Sequence, residues 1–434
     1  MGSISRLPSP VSGREAPVTP SRRTPVRSRP AMITSLGLAS FACGTAVGVK
    51  LDIVGDLYLL ELLVALLALQ CLLSRGLGKG FVPSVFLGFL AAGLLTFFGY
   101  LLADLMAANE PWQYLKGWGR VALLIVDSAG LMVLAAHGRQ HLWWLALGIA
   151  VGGVAALAVE GVPLTTWKLG YGEYAVLLAV ALAPLLPSFL PTLLISLFGV
   201  GCVLADYRSL GAVSLAVSAI MLWHHLAFRD GIAKSLLRVA VVAGIAVMAL
   251  TALLWVTQEQ YSERRQESNI GRYVGLLVAW RAISESPLVG YGSWAADEKF
   301  GRMFKAEVER IDRDNPRIAQ VSHSLLPHSQ LLQVWIEGGL LGLTFFALYA
   351  VRLLGALRWF AWNRQTDLLT PLFLFLLVSG IWNLLASPFL GLHRVYIAIV
   401  VALISVAAHE RRREVNARTG SYVDRREPIG PATR

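Results

Sequence analysis

The chain has 434 residues, of which 56% are hydrophobic and 15% are charged, and its formal net charge is +11. Soluble domains usually contain about 25% charged residues, so the composition argues against a soluble protein. The uncharged runs match spanning helices of roughly 20 residues and lack the alternation of β-barrel strands. We therefore predict an all-α polytopic membrane protein. We attribute its basic excess to helix ends that set topology, and we predict no nucleic-acid partner.

The first segment of the chain is basic. Residues 1–30 contain six arginines and one acid, and their richness in proline and serine predicts a disordered cytoplasmic tail. Nine apolar spans are predicted in 31–256 and three in 329–408, and a second basic tail follows in 409–434. The twelve predicted spans are 31–49, 53–73, 82–105, 118–137, 142–159, 172–187, 189–206, 211–227, 236–256, 329–351, 368–386 and 392–408.

The distribution of Lys and Arg orients these spans. With the N-terminus in the cytoplasm, the inside segments hold 22 of the 38 basic residues and the short outside connections hold six, among them Arg120 and Arg394. Cytoplasmic loops carry such an excess, so we predict that both tails are cytoplasmic. The long loop 257–328, which holds the other ten basic residues, is then on the outside.

This long loop is the largest polar segment between spans. Residues 271–283 predict an amphipathic helix, and the turn residues of 286–292 end it. The loop offers no core large enough for a separate domain, so we expect it to fold back on the membrane surface. Its C-terminal end contains His323 and His328.

His328 stands at the mouth of an apolar helix that Pro327 favours. Free N–H groups and the positive end of the helix dipole disfavour a charged imidazole there. A neutral histidine at a wet interface can accept a proton, so His328 is a candidate general base, and a capping role is the alternative. His323 is a candidate second base or ligand, or a solvated loop histidine. The ligand spacing gives little support for a metal, and we predict no metal or cofactor.

Three arginines on the outer side are candidate phosphate ligands, because arginine binds phosphate bidentately. Arg208 lies in a short turn between two spans. Arg272 and Arg281 are about 2.5 turns apart on a helix, on roughly opposite faces, so only one of them is expected to point at a site. Contact with lipid headgroups is the alternative for each.

Asp127 is the deepest acidic residue of the predicted spans. An intramembrane carboxylate suggests a proton or ion path. It can equally form an ion pair, and Arg120 is one candidate partner.

Residues 328–342 resemble the signature of the bacterial O-antigen ligase and polysaccharide polymerase superfamily. That signature is His, then Asn, Ser or Gln, nine residues, Gly, two residues, and Gly, Thr or Tyr. It is met by His328, Ser329, Gly339 and Gly342. Many members have Asn where this chain has Ser329, so any contact specific to the amide is lost.

Other segments resemble the same superfamily. Glu337 suits its usual E-x-G-x-x-G ending, and residues 287–292, after Trp280, resemble its PLxGxG segment. Arg208 and Arg272 fall where members place two periplasmic arginines. The resemblance covers about 200–345.

The resemblance implies a polyprenyl-diphosphate-dependent glycosyltransferase of the bacterial inner membrane, with a fold like that of other integral-membrane, polyprenyl-phosphate-using glycosyltransferases. Such enzymes transfer a glycan from undecaprenyl diphosphate to an acceptor hydroxyl at the periplasmic face, with inversion and without a metal. The implied partners are this lipid-linked glycan, a glycan or lipid A-core acceptor, and membrane lipids.

The resemblance also implies roles for individual residues. His328 becomes the catalytic base. It is preferred to His323, because if His323 were the signature histidine, Val334 would stand where the signature requires its first glycine. Arg208 and Arg272 are expected to bind the diphosphate. The residues expected to support the site are His323, Ser329, Arg281 and Glu337.

Three functions stay open. A ligase would use the lipid A-core as acceptor, and a polymerase would use another carrier-linked repeat unit. A transporter or flippase would have duplicated halves with broken helices at matching positions, and would make Asp127 more important than His328. The sequence shows no internal repeat.

Overall fold

The computed structural model describes residues 34–53, 56–107, 111–186, 189–226, 263–312, 327–362 and 369–423. Within these ranges it has fourteen α-helices and one small antiparallel sheet. The helices are α1 Ser35–Thr45, α2 Leu59–Arg75, α3 Pro83–Ala107, α4 Pro111–His137, α5 Gln140–Val159, α6 Gly172–Leu182, α7 Leu190–Leu204, α8 Arg208–Leu226, α9 Glu263–Glu285, α10 Glu298–Ile311, α11 Gln330–Gly342, α12 Thr344–Trp362, α13 Thr370–Ala386 and α14 His393–Val423. The strands are β1 Lys50–Asp52 and β2 Asp56–Tyr58.

Five helices, α3, α4, α5, α12 and α14, are long and apolar enough to cross a membrane. The 25 residues of α3 extend about 38 Å, which exceeds a hydrocarbon core of about 30 Å. Proline at its first position suits a helix start, since the nitrogen needs no helical partner there. The structure thus confirms an all-α membrane protein. The number of twelve spans stays a prediction, because 236–256 lies outside the described residues.

The helices pack around α4, which contacts α2, α3 and α14. The segment of α14 from Ile397 to Ala407 is almost completely buried against its neighbours. Helix α1 packs closely on α5, where a Cβ added to Gly44 would lie 2.4 Å from the Leu145 carbonyl oxygen. Small residues permit such close backbone approach between membrane helices.

The predicted span 53–73 begins with a strand rather than a helix. Lys50 pairs with Tyr58 in the β1–β2 hairpin, and α2 starts only at Leu59. The side chain of Glu61 accepts a hydrogen bond from the Tyr58 N–H at 2.8 Å, which satisfies a donor at the helix start. Hydropathy did not predict this hairpin, because about half of its residues are apolar and resemble the start of a spanning helix.

Two other predicted boundaries are wrong. Helix α4 starts at Pro111 instead of 118, and Arg120, which the charge count placed in an outside connection, is buried in this helix. The single predicted span 329–351 is two helices, α11 and α12, and Gly339 inside α11 has a φ of 61°. Arg394 is also buried, in α14, and does not lie in an exposed connection.

The described part of the long loop forms two helices that share a small core with α11. Helix α9 contains the predicted amphipathic segment 271–283, whereas α10 was not predicted. The core of this unit consists of Val274, Val278, Ala279, Ala282, Ile283, Ala295, Phe300, Val308 and Ile336. Because Ile336 belongs to α11, the unit is joined to the helical bundle through that helix.

Candidate active site

The start of α11 exposes a histidine and buries a serine. His328 is exposed, whereas Ser329 is buried and caps the helix. The Ser329 hydroxyl accepts a hydrogen bond from the Leu332 N–H at 3.4 Å and donates one to the Leu384 carbonyl at 3.2 Å. A serine at this position satisfies an otherwise unpaired first-turn donor. Ser329 therefore ties α11 to α13 and fixes the backbone next to His328.

The other end of α11 is interrupted at Gly339. Its φ of 61° lies in the left-handed region, which glycine adopts without a steric penalty. The N–H of Leu340 donates to the Leu288 carbonyl at 3.1 Å. The Ile336 carbonyl therefore lacks the donor that Leu340 would provide in a regular helix. A Cβ at Gly339 would lie 2.1 Å from the Leu288 carbonyl oxygen, which leaves no space for another residue.

The segment 287–292 supplies the missing donors. The N–H of Tyr291 donates to the backbone carbonyl of Ile336 at 2.8 Å, and the N–H of Gly292 donates to the backbone carbonyl of Glu337 at 2.9 Å. Ile336 and Glu337 are buried, so their carbonyl groups need partners within the protein, and these bonds provide them. The two segments that resemble the superfamily motifs therefore hydrogen-bond to each other.

Glu337 lies in a buried polar network that crosses four parts of the fold. Its Oε2 accepts from the Tyr100 hydroxyl at 2.5 Å and pairs with Arg120, and its Oε1 accepts from Gln333 Nε2 at 3.0 Å. Gln333 Oε1 accepts from the Phe389 N–H at 2.7 Å, and Arg120 donates to the Phe389 carbonyl at 2.9 Å. A buried ion pair needs such additional hydrogen bonds to offset its desolvation. The network joins α3, α4, α11 and the connection before α14.

Aromatic rings cover the Arg120 guanidinium. The ring centroids of Trp294 and Phe389 lie 4.6 Å and 4.8 Å from its central carbon. Trp294 and Ala295 have φ values of 69° and 43°, a conformation that costs a non-glycine residue about 1–3 kcal/mol. The cation–π contact with Arg120 is one interaction that offsets this cost.

Asp104 binds the turn that contains Trp294 and Ala295. Its carboxylate accepts hydrogen bonds from the Ser293 N–H at 2.5 Å, from the Ser293 hydroxyl at 2.7 Å and from Trp118 Nε1 at 2.7 Å. Ser293 is completely buried. These bonds join α3 and α4 to the turn that precedes α10.

Lys299 joins α10 to the end of α9 and to the segment 287–292. Its Nζ donates to Glu285 Oε2 and to the Tyr291 hydroxyl, each at 3.1 Å. Partial burial lowers the pKa of Lys299, but the hydrogen bonds with Tyr291 and Glu285 outweigh it and raise that pKa above its ordinary value. The Tyr291 ring also packs edge-on against Phe300, with 4.8 Å between centroids.

The predicted phosphate ligands occupy different surroundings. Arg208 is the first residue of α8, and its side chain is half-buried. Its Nε lies 3.4 Å from Oδ1 of Asp206. Arg281 is paired with Glu307 of α10 at 2.7 Å, whereas the Arg272 side chain is exposed on α9. Both side chains are exposed, and the ion pair with Glu307 distinguishes Arg281 from Arg272.

At the level of helices, these residues belong to one packed assembly. Helix α9, with Arg272, packs directly on α11, which begins beside His328. Helix α8, with Arg208, packs on α13, and α13 also packs on α11. His323 lies outside the described residues, so its participation stays a prediction.

The proposed pairing of Asp127 with Arg120 is wrong. Arg120 pairs with Glu337, and Asp127 lies within hydrogen-bonding distance of Glu61. Glu61 also pairs with Arg394, whose guanidinium donates to its Oε2 at 2.7 Å. The membrane bundle therefore contains two separate buried arginine–glutamate pairs among its described residues.

The buried network was not found from the sequence. Tyr100 and Asp104 are four residues apart on α3, on one face of the helix. That spacing, with Arg120 in the next helix, was a signal for a buried polar face. Glu337 was singled out only through the family ending, and Gln333 was not singled out at all.

Together the fold and this site define a membrane-embedded helical protein with a broken helix whose gap is filled by a loop from an adjacent two-helix unit. Residues 192–347 match the family model for O-antigen ligase. This segment of the chain is therefore similar to O-antigen ligases, and the match does not extend to the remaining residues. A search of curated proteins finds no match.

Proposed function

We propose that this protein is a membrane glycosyltransferase of the ligase type. It moves a glycan from undecaprenyl diphosphate to an acceptor hydroxyl at the periplasmic face of a bacterial inner membrane. The observation that carries the proposal is the O-antigen ligase match over 192–347, which includes His328 at the exposed start of α11. The donor and the acceptor are taken from the family.

In the proposed reaction, His328 removes the proton of the acceptor hydroxyl while its oxygen attacks the anomeric carbon of the donor glycan. A glycosidic C–O bond forms, and the bond from the anomeric carbon to the diphosphate oxygen breaks. Undecaprenyl diphosphate leaves with the bonding electrons, and the anomeric configuration inverts. Arg208 and Arg272 stabilise the negative charge that develops on the leaving diphosphate.

The remaining supporting residues act through position. Ser329 caps α11 beside His328, and the Glu337 carboxylate is already bonded to Tyr100, Arg120 and Gln333, so neither is assigned a contact with substrate. Arg281 is held by Glu307, which favours a structural role. His323 remains a candidate supporting group.

The catalytic assignment is tested with His328→Ala, Arg208→Ala and Arg272→Ala, each scored by surface or secreted polysaccharide at equal protein level. The matched control is Arg302→Ala, because Arg302 is an exposed arginine of α10 that pairs with Glu298 of the same helix. We expect glycan loss in the three site variants and normal glycan in the control. Normal glycan in all three site variants would contradict the proposal.

The acceptor is tested in a deletion strain. If the protein is a ligase, long chains accumulate on the lipid carrier because they cannot reach the lipid A-core. If it is a polymerase, single repeat units accumulate instead, and the polymerase alternative replaces the ligase.

The proposed orientation is tested with single cysteines. The native Cys43, Cys71 and Cys202 are all buried, so they provide a low background. Arg302→Cys should react in intact cells with a maleimide that enters the periplasm but not the cytoplasm. Arg413→Cys, on the exposed end of α14, should react only after cell lysis. The opposite pattern would reverse the orientation.

A further inference from the structure

One face of α11 carries three polar side chains in a line. Gln330, Gln333 and Glu337 are spaced at i, i+3 and i+7, which places them on the same face of the helix. All three have 0% of their surface exposed. Gln333 and Glu337 belong to the network with Arg120, in which their side chains are hydrogen-bonded.

Gln330 differs from Gln333 in one respect. Among the residues that the structure describes, neither its side-chain oxygen nor its side-chain nitrogen has a hydrogen-bond partner. Gln333 has the same residue type, helix and burial, and it uses both its Oε1 and its Nε2. Buried amides nearly always have partners, because leaving one unpaired costs folding free energy. The contacts within the described part of the chain therefore do not account for Gln330.

The position of Gln330 points toward the proposed catalytic base. It is the first residue of α11, and the N-cap Ser329 alone separates it from the exposed His328. Side chains on a helix project toward its N-terminus. The unpaired amide is thus directed toward the end of α11 at which His328 lies.

We infer that Gln330 binds a sugar hydroxyl of the glycan on which His328 acts, an inference that rests on the proposed function. A primary amide offers two donors and one acceptor, and a hydroxyl can both accept and donate. A phosphate oxygen only accepts, so it would leave Oε1 of Gln330 without a partner. The amide therefore matches the carbohydrate, while Arg208 and Arg272 match the diphosphate. Gln330 is a substrate-binding residue that contributes to sugar specificity.

Binding is measured with the full-length protein in lipid nanodiscs, in a His328→Ala background that prevents turnover. One probe is the lipid-linked glycan extracted from the deletion strain, and the other is undecaprenyl diphosphate without sugar. We expect Gln330→Leu to weaken binding of the lipid-linked glycan about tenfold, which corresponds to about 1.4 kcal/mol. Binding of the sugar-free lipid should not change.

Thermal unfolding of the same variants separates a binding role from a structural one. Gln330→Leu removes an unpaired buried amide, so its Tm should equal or exceed that of the parent. Gln333→Leu is the matched control, and its Tm should fall because Glu337 and Phe389 lose a hydrogen-bond partner.

Three results would overturn the inference. They are unchanged glycan binding by Gln330→Leu, an equal loss of binding for both lipids, or a Tm as low as that of Gln333→Leu. The proposed catalytic function fails separately, if the protein with His328→Ala alone transfers glycan at the wild-type rate. In that case a glycan-selective effect of Gln330→Leu would still establish the sugar-binding site.

Discussion

The buried network around Glu337 and the exposed residues His328 and Arg272 employ ionisable side chains in opposite ways. Glu337 meets Tyr100, Arg120 and Gln333, and it has no exposed surface. His328 and Arg272, by contrast, present their side chains at the surface. A charge that is satisfied inside the bundle holds helices together, and an exposed one can meet a substrate. Substitutions in the first region should therefore alter stability, and those in the second should alter activity.

The largest effect on stability is expected for Arg120→Leu. This change leaves Glu337 buried without its counter-charge, which typically costs about 3–5 kcal/mol. We expect loss of folded protein, measured as the monodisperse fraction after detergent extraction. The double variant Arg120→Leu with Glu337→Leu should recover part of that fraction, because it removes both charges. Normal yield of the single variant would show that the pair does not hold the fold.

A smaller loss is expected for Gly339→Ala. The alanine Cβ would meet the Leu288 carbonyl oxygen, and a φ of 61° costs a non-glycine residue about 1–3 kcal/mol. Thermal unfolding should show a lower Tm. The matched control is Gly355→Ala in α12, where an added Cβ meets nothing within 4 Å. It should leave the Tm unchanged or raise it, and equal shifts in both variants would contradict the account of the helix break.

The smallest effects on stability are expected for Arg272 and Arg281 of α9. Arg281→Ala removes a partly exposed ion pair with Glu307, and such pairs contribute about 0–1 kcal/mol. Arg272→Ala should leave the Tm unchanged and lower the rate of glycan transfer more than Arg281→Ala does. If Arg281→Ala lowers that rate more, the assignment of the diphosphate ligand moves to Arg281.

The sequence predicted the helical class because hydropathy is a local property of each segment. It therefore located α3, α5 and α13 to within a few residues. The break in α11 could not be predicted in the same way, since Gly339 takes its φ from contact with Leu288, about fifty residues earlier. Hydropathy alone predicted a single span in place of α11 and α12.

The buried ion pairs were missed for a related reason. The count of basic residues assigned Arg120 and Arg394 to exposed connections, because it uses position along the chain and no information about partners. Their partners, Glu337 and Glu61, are more than 200 residues away in sequence. The assignments of His328, Arg208 and Arg272 to catalysis rest on the resemblance and on the family match, and they stay predictions.

The central claim is that His328 acts as the general base of glycan transfer. The direct measurement is the initial rate of transfer by His328→Ala in proteoliposomes, with the extracted lipid-linked glycan as donor and with or without added imidazole. A lost general base should lower the rate by about 10²–10⁴-fold, and imidazole should restore part of it. A variant that transfers glycan at the wild-type rate without imidazole would contradict the claim.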